Sequence, residues 1–590
     1  MNHKLILKFI IIGLVLGANA SSLFAYDPQR SYFFEDWRTP SPPDPCSPLN
    51  SDWFYDLTTP WFDVYGMPWY SIPRWGVLKT DPDGTVWGDT VFVDDGRCCI
   101  IREKDDSNNP VINADGHGAD IYILQIILGY FNVGGLPGEG GGTLQLLPGN
   151  YNVKLMGELN AEEHRTNVWQ YGGNLSGQIR LGSMQPEYGG AFQHDNADVI
   201  YDMYAGTLTT TCDREKNAGL VVGNSLPPGT ERCDAEFNMY GGSIITNQIA
   251  LANKDCNGVF NMHNGTITFG DFVTPTNPTY LKIGNDNLAK EATFNLGDVN
   301  TTGTLIGTYT NLTVDSNVGI FNGWGIVSFG GTLSNAGIID ANGYGVDRDL
   351  DFSSMSSVQV LKENAVGSDK GWYAENNGRL ILPSIPVTAG MNTYNWGEAA
   401  ADTDIDMINS ARITFNSSTA GTLTGSLLCD GRSDLPTNPY RVIGAWNFQN
   451  TASVSNVGIV IRYDDLLSAQ LETTEADLKI YQYQTDHWVD ITSSIDTTKK
   501  QISGSASSLG IFVVGTEITT PVNCYEVHKI GQGYPGDLDG NCVVNFDDLF
   551  LLTSEWLSTD TLDYDLNNSS RVDVKDFAIL AEDWLKDNNP

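Results

Sequence analysis

Between residues 140 and 345 one pattern of apolar and polar positions keeps returning: apolar, polar, apolar, a glycine corner, then Ser, Thr or Asn and a second apolar stretch. It reads LQLLPGNY at 144–151, VWQYGGNL at 168–175, YDMYAGTL at 201–208, FNMYGGSI at 237–244 and FNMHNGTI at 260–267, with looser copies FNLGDV at 294–299 and VSFGGTL at 327–333. The corner glycines Gly149, Gly173, Gly206, Gly242 and Gly265 are 24, 33, 36 and 23 residues apart. A base period of 23–24 residues with insertions belongs to a repeat architecture. Within a copy the apolar residues alternate with period two, so Phe237 and Met239, or Phe260 and Met262, share the buried face of a strand. Glycine supplies the backbone conformation of the corner, and a second strand such as Gln248-Ile249-Ala250-Leu251 follows. Stacking such coils places the Phe and Met of successive rungs above one another. The pattern therefore predicts a parallel β-solenoid over 140–345, most simply a right-handed parallel β-helix.

From 405 to 517 the pattern changes to short strands such as ARITFNSS, GTLTGSLL, VGIVIRYDD, LKIYQYQ, KQISGSA and LGIFVVG, separated by turns. Such spacing predicts a small antiparallel β-sandwich. Residues 26–139 begin with a Pro- and aromatic-rich segment, SPPDPCSPL and TTPWFDVYGMPWYSIPRW, read as an irregular wrapping that caps the solenoid. Residues 346–404 are expected to connect solenoid and sandwich, and 518–533 to be a linker. The fold class is thus mainly β, with a small α-helical module at 534–586.

That module is a tandem repeat at an offset of 28: DLDGNCVVNFDDLFLLTSEWL from Asp537 and DLNNSSRVDVKDFAILAEDWL from Asp565. An EF-hand-type loop surrounds its ion with oxygens at positions 1, 3, 5, 9 and 12 and the carbonyl of position 7. The first copy places Asp537, Asp539, Asn541, Asn545 and Asp548 there, with the Val543 carbonyl. The second offers Asp565, Asn567, Ser569, Asp573 and Asp576, with the Arg571 carbonyl. After each loop, apolar residues fall at helical spacing: Leu549, Leu552 and Trp556, then Phe577, Leu580 and Trp584. Two ions and one core shared about a pseudo-two-fold axis are expected. Position 6, where an EF-hand loop favours Gly, is Cys542 and Ser570.

Charge narrows the partners. Lys plus Arg number 33 against 72 Asp plus Glu, a net −39 that repels phosphate backbones and anionic membranes and leaves nucleic acid an unfavourable partner. Calcium fits, because it neutralises crowded acidic loops. The first 25 residues carry Lys4 and Lys8 before an apolar run from Phe9 to Leu16 and small residues, which reads as a signal peptide cleaved after Ala20 or Ala25. With that segment removed, no membrane insertion is expected. Nine cysteines in an exported chain predict disulfides, with Cys212–Cys233 and Cys524–Cys542 the preferred pairs and an odd thiol left over.

The duplicated loop pattern resembles a type I dockerin, over about 50 residues. The resemblance implies a calcium-dependent module that plugs a secreted protein into a cohesin-like partner or cell-surface scaffold. In many dockerins a Ser/Thr-type pair at positions 10 and 11 reads the cohesin; here these are Phe546-Asp547 and Val574-Lys575. The solenoid repeats resemble the passenger-like repeats of autotransporter adhesins and, more loosely, the pectin-lyase-like β-helix superfamily. Two functions are therefore expected as alternatives. One is a structural, adhesive or carbohydrate-binding body tethered by its dockerin. The other is a polysaccharide-degrading hydrolase or lyase, which needs a carboxylate pair or calcium carboxylates with a basic residue. Asp115-Gly116-His117-Gly118 resembles the Gly-His-Gly string of polygalacturonases but lacks the accompanying Asn-Thr-Asp, and reads better as a turn. Asp202, Arg180 and His263 lie scattered through the repeats, so the catalytic residues stay unassigned.

Overall fold

The computed structural model describes residues 79–80, 86–87, 90–93, 98–101, 120–123, 125–128, 143–146, 148–149, 152–161, 165–182, 197–210, 219–224, 233–253, 256–270, 278–284, 291–315, 319–360, 369–399, 404–559 and 563–590. They fall into two units, one drawn from 1–177 and 194–207, the other from 178–193 and 208–590. The expected signal peptide, the Cys212 side of the first disulfide and the Asp115 to Gly118 string lie outside the described residues.

In the first unit, strands Cys98–Ile101, Thr143–Leu146, Arg165–Gln170 and Ala197–Met203 run parallel in that order. Thr90–Val93 pairs with Gln125–Leu128, and Asn152–Ala161 pairs with both Asp120–Ile123 and Gln125–Leu128, all parallel. Rungs thus begin inside 26–139, the region expected to be a cap. Their strands, TVFV, CCII, DIYI and QIIL, are apolar runs without the alternation and glycine corner that made the later copies visible.

The second unit holds three parallel ladders, to which successive rungs contribute. The first runs Cys233–Met239, Cys256–Met262, Glu291–Leu296, Gly319–Gly323, Ile338–Asn342, Gly371–Glu375. The second runs from Leu220–Asn224 to Ser357–Val360, the third from Ser243–Thr246 to Gly378–Ile381. Parallel ladders of short, mostly alternating strands are consistent with a β-solenoid. Phe237, Phe260, Phe294 and Phe321 stack inward at centroid distances of 4.7, 4.9 and 5.2 Å, close to the spacing of neighbouring strands. All four are fully buried, as is Met239, while Met262 is 1% exposed. At the corner Gly265 has φ 104°, and a Cβ there would sit 2.7 Å from the Gly242 carbonyl oxygen. The corner glycines allow rungs to approach that closely.

The ladders run past residue 345, so 346–404 is not merely a connection. Trp372 takes the core place of the stacked Phe residues and donates its indole N–H to the Gly397 carbonyl at 2.9 Å. The last strand, Gly378–Ile381, pairs in parallel with Arg348–Asp351 on one side and antiparallel with Gly421–Leu428 on the other. The solenoid therefore feeds one sheet of the next layer and leaves no free edge there. That sheet continues through Tyr440–Asn450, Ile511–Glu517, Lys479–Gln484 and His487–Asp490, all antiparallel. A second antiparallel sheet, Gly390–Trp396, Ala411–Ser417, Val454–Arg462, Gln501–Ala506 and Thr492–Asp496, faces it where Trp396 meets Phe448 edge-on. A small helical unit follows.

Phe260 is sandwiched between two rings, so Phe260→Ala should cost about 3–5 kcal/mol in the denaturant transition of the solenoid. A loss below about 1 kcal/mol would mean that the stack is not what holds the rungs together.

Candidate metal centre

The helical unit is built twice. Asn545 caps helix Phe546–Ser554 and Asp573 caps helix Val574–Glu582, each in a capping box that Asp548 or Asp576 completes. Position 12 of each loop therefore both closes the loop and starts the helix. Asp548 Oδ1 accepts the N–H of Leu538 at 2.6 Å and Asp539 at 3.2 Å, and Asp576 Oδ1 accepts the N–H of Asn567 at 3.1 Å. Position 1 is fixed in the same way. Asp537 accepts the N–H groups of Asn541 and Cys542 at 3.1 and 2.7 Å, and Asp565 those of Ser569 and Ser570 at 3.0 and 2.6 Å.

The turn at position 6 is left-handed although neither residue is glycine: φ is 69° at Cys542 and 67° at Ser570. Cys542 is fastened there by its disulfide to Cys524, with Cα atoms 5.5 Å apart. The halves also interlock. Leu585 N–H donates to the Val544 carbonyl and Leu557 N–H, 28 residues earlier, to the Val572 carbonyl, both at 2.8 Å. Val544, Leu552, Val572 and Leu580 are wholly buried between them, with Leu549 and Trp584 packed against the group. Trp556 and Phe577 were expected in this core but are 41% and 40% exposed. Their counterparts 28 residues away, Trp584 and Leu549, do pack against the core, so each pair gives it one side chain and not two. Phe577 occupies the place of Leu549 beside a core that four aliphatic side chains already fill.

The two loops differ electrostatically. In the first, oxygens of Asp537, Asp539 and Asp548 all lie within 4.8 Å of one another. Burial, together with the charges of Asp548 and Asp537, pushes the Asp539 carboxyl above its ordinary range, against the Asn541 N–H. His528 Nε2 approaches Asp537 Oδ2 at 2.6 Å. In the second, Asn567 replaces the position-3 carboxylate and donates its side-chain N–H to Asp576 at 2.8 Å. Burial opposes ionisation of Asp565, but the N–H groups of Ser569, Ser570, Arg571 and Asn567 outweigh it and hold that carboxyl low.

The remaining expected ligands gather in the same rings. Asn541 Nδ2 donates to Asp539 at 2.8 Å, Asn545 Nδ2 to the Val543 carbonyl at 3.3 Å, and Ser569 Oγ to the Arg571 carbonyl at 3.1 Å. Asp573 accepts the Lys575 N–H at 2.8 Å. All these groups are hard oxygen donors, the chemistry that calcium takes, and the crowded carboxylates of the first loop fit a divalent cation.

Residues 518–533, expected to be a linker, contain the helix Cys524–Lys529 instead. Asn523 caps it, and Glu526 receives both Arg441 Nε and Nη2, at 2.6 and 2.8 Å, from the sandwich. Lys529, nearly buried, pairs with Asp430 at 2.5 Å. The partners that hold this short helix, Arg441 and Asp430, are distant in sequence, so no local pattern marks it.

In the solenoid, His263 turns out to have a partner 35 residues on: its Nδ1 lies 3.1 Å from Asp298 Oδ2. Tyr240 stacks on His263 at 4.8 Å, and Arg348 covers Trp324 at 4.3 Å while donating to the carbonyls of Asp298 and Val299. In three copies a ring follows the Met directly, as Tyr204, Tyr240 and His263, and that recurrence was the available signal for this corner row. The stacking of Tyr240 on His263 and of Arg348 on Trp324 consolidates the corner. Strands Asn174–Leu181 and Ala197–Met203 carry Arg180 and Asp202. No family model, curated protein or solved structure matches the chain.

The Arg441 guanidinium holds the Glu526 carboxyl below the usual glutamate range. A depressed folded pKa stabilises above the ordinary value and is lost as pH falls through the folded one. Glu526→Gln should therefore speed amide hydrogen exchange in helix 524–529 at neutral pH, with the difference from the parent fading in acid; an equal difference at both would place the effect elsewhere.

Proposed function

We propose that residues 534–586 form a dockerin-type module that binds two calcium ions and tethers a secreted protein to a cohesin-like partner or cell-surface scaffold. The observation that carries this reading is the convergence of Asp537, Asp539 and Asp548 within 4.8 Å, at positions 1, 3 and 12 of a loop whose duplicate lies 28 residues on. Three carboxylates at that separation repel one another unless a cation lies between them. The Cys524–Cys542 bond supports export, since disulfides persist in oxidising compartments. The solenoid body acts as a structural, adhesive or carbohydrate-binding stalk. In support, acidic side chains on its outer rows are taken up between rungs, as Asp234 by Asn257 at 2.6 Å and Asp349 by Arg379 at 2.9 Å.

Calcium should stabilise the folded unit by RT ln(1 + [L]/Kd), about 2.7 kcal/mol at a hundredfold excess over Kd. The first loop should bind more tightly than the second, because Asn567 removes a carboxylate and already satisfies Asp576. Calorimetric titration of the chelated full-length protein checks this: Asp548→Ala should abolish the tighter event, and Asp547→Ala should leave both. No heat of binding, and no calcium-dependent slowing of exchange in 534–586, would refute the reading.

A further inference from the structure

On the outward face of the first ladder, one row runs Asn238, Asn261, Asn295, Asn322, Asp340 through successive rungs. Asn261 Nδ2 donates to Asn238 Oδ1 at 2.8 Å, Asn295 Nδ2 to Asn261 Oδ1 at 2.8 Å, and Asn322 Nδ2 to Asn295 Oδ1 at 3.2 Å. The chain has one direction, which Glu236 fixes by accepting from Asn261 Nδ2 at 3.0 Å. At the far end Asn322 Oδ1 is buried with nothing donating to it, and Asp340 Oδ1 in the next rung is likewise buried and unmatched. An amide ladder with a carboxyl group at each end can give an N–H to only one of them. Two acceptors are left where the chain requires a donor, and buried polar atoms are rarely left so.

We infer that Asp340 is held as the neutral acid, its O–H donating to Asn322 Oδ1 and completing the ladder. The groups around it are acids too: Glu375 on the adjoining strand, Tyr344 beyond the strand's end and Cys429 from the sandwich side. Burial first, then the Glu375 charge, pushes the Asp340 carboxyl up to about 7. A folded pKa raised above the unfolded value gives stability that is full in acid and is lost as pH rises through the folded value. The ladder is therefore complete in mild acid and loses its last bond in alkali. That bond adjoins Gly371–Glu375, the final strand of the first ladder, so the pH-sensitive rung lies where solenoid passes into sandwich.

Asp340→Asn tests this, because a fifth amide extends the row without needing a proton. The variant should melt above the parent at about pH 9, and the gap should narrow steadily as pH falls toward about 3, below the ordinary carboxyl value of the unfolded chain. Glu375→Gln should move the parent's alkaline loss to lower pH. Infrared spectra of the unaltered protein should show a buried protonated carboxyl that disappears near neutrality, which decides the matter even if a variant does not fold. A variant that melts below the parent in alkali would mean that the amides point the other way, toward an ionised Asp340. Rescue of the parent's alkaline melting by sodium or calcium would make the missing partner a cation. Either result, or a difference independent of pH, overturns the assignment.

Discussion

In a parallel, in-register stack each side chain lies over its counterpart in the next rung, so a row is stable only if its residue type tolerates its own kind as a neighbour. Phenylalanine does, ring upon ring; asparagine does, because an amide both donates and accepts. Threonine does for the same reason, as Thr279 and Thr310 show by sharing a hydrogen bond at 2.6 Å between fully or nearly buried hydroxyls. A carboxylate does not. In a chain with 72 acidic residues and 33 Lys plus Arg, this condition shapes the outer rows of the solenoid more than any single contact. Asp234 is met by Asn257, Asp298 by His263 and Asp349 by Arg379, each partner coming from a different rung.

The helical unit meets the same difficulty by convergence instead of stacking. Its capping boxes fold each loop onto the first turn of a helix, and the geometry that starts the helix brings position 12 against positions 1 and 3. In the second loop an asparagine relieves the crowding from within. In the first, three carboxylates remain together, although Asn541 meets Asp539 and His528 approaches Asp537, and the proposed calcium would do there what Asn257 or Arg379 does on the solenoid. Like charges set close together thus separate the two loops, although their sequences align residue for residue.

Alternation and glycine corners made the solenoid legible between Phe237 and Phe329, because inward residues there are large and the corners are invariant in kind. Legibility failed where the alternation was diluted. The early strands are short and lack the corner of glycine followed by Ser, Thr or Asn, and Trp372 continues the core outside the repeating string. The convergence of Asp537, Asp539 and Asp548 was legible because loop spacing brings positions 1, 3 and 12 together, and so was the Cys524 to Cys542 pairing. The exposure of Trp556 and Phe577 was not, since their counterparts Trp584 and Leu549 share the same spacing and do reach the core. Nor were His263 with Asp298, or Glu526 with Arg441, legible: pairs 35 and 85 residues apart depend on how rungs and sheets register, which no local pattern records.

The six-residue helix 524–529 joins these parts physically. Too short to be stable by itself, it persists because its neighbours hold it. Arg441 and Asp430 fix two of its side chains to the sandwich, Cys524 ties its first residue to position 6 of the first loop, and His528 reaches position 1. A rearrangement of that loop must therefore move the helix or strain its ion pairs. The second loop has no such tether to the sandwich among the described contacts. Two loops of the same build thus stand in different mechanical positions, the first being tied through this helix to the sandwich. The proposed calcium would at the first loop act on the junction with the sandwich, and at the second on the module's own core through Val572 and Leu557.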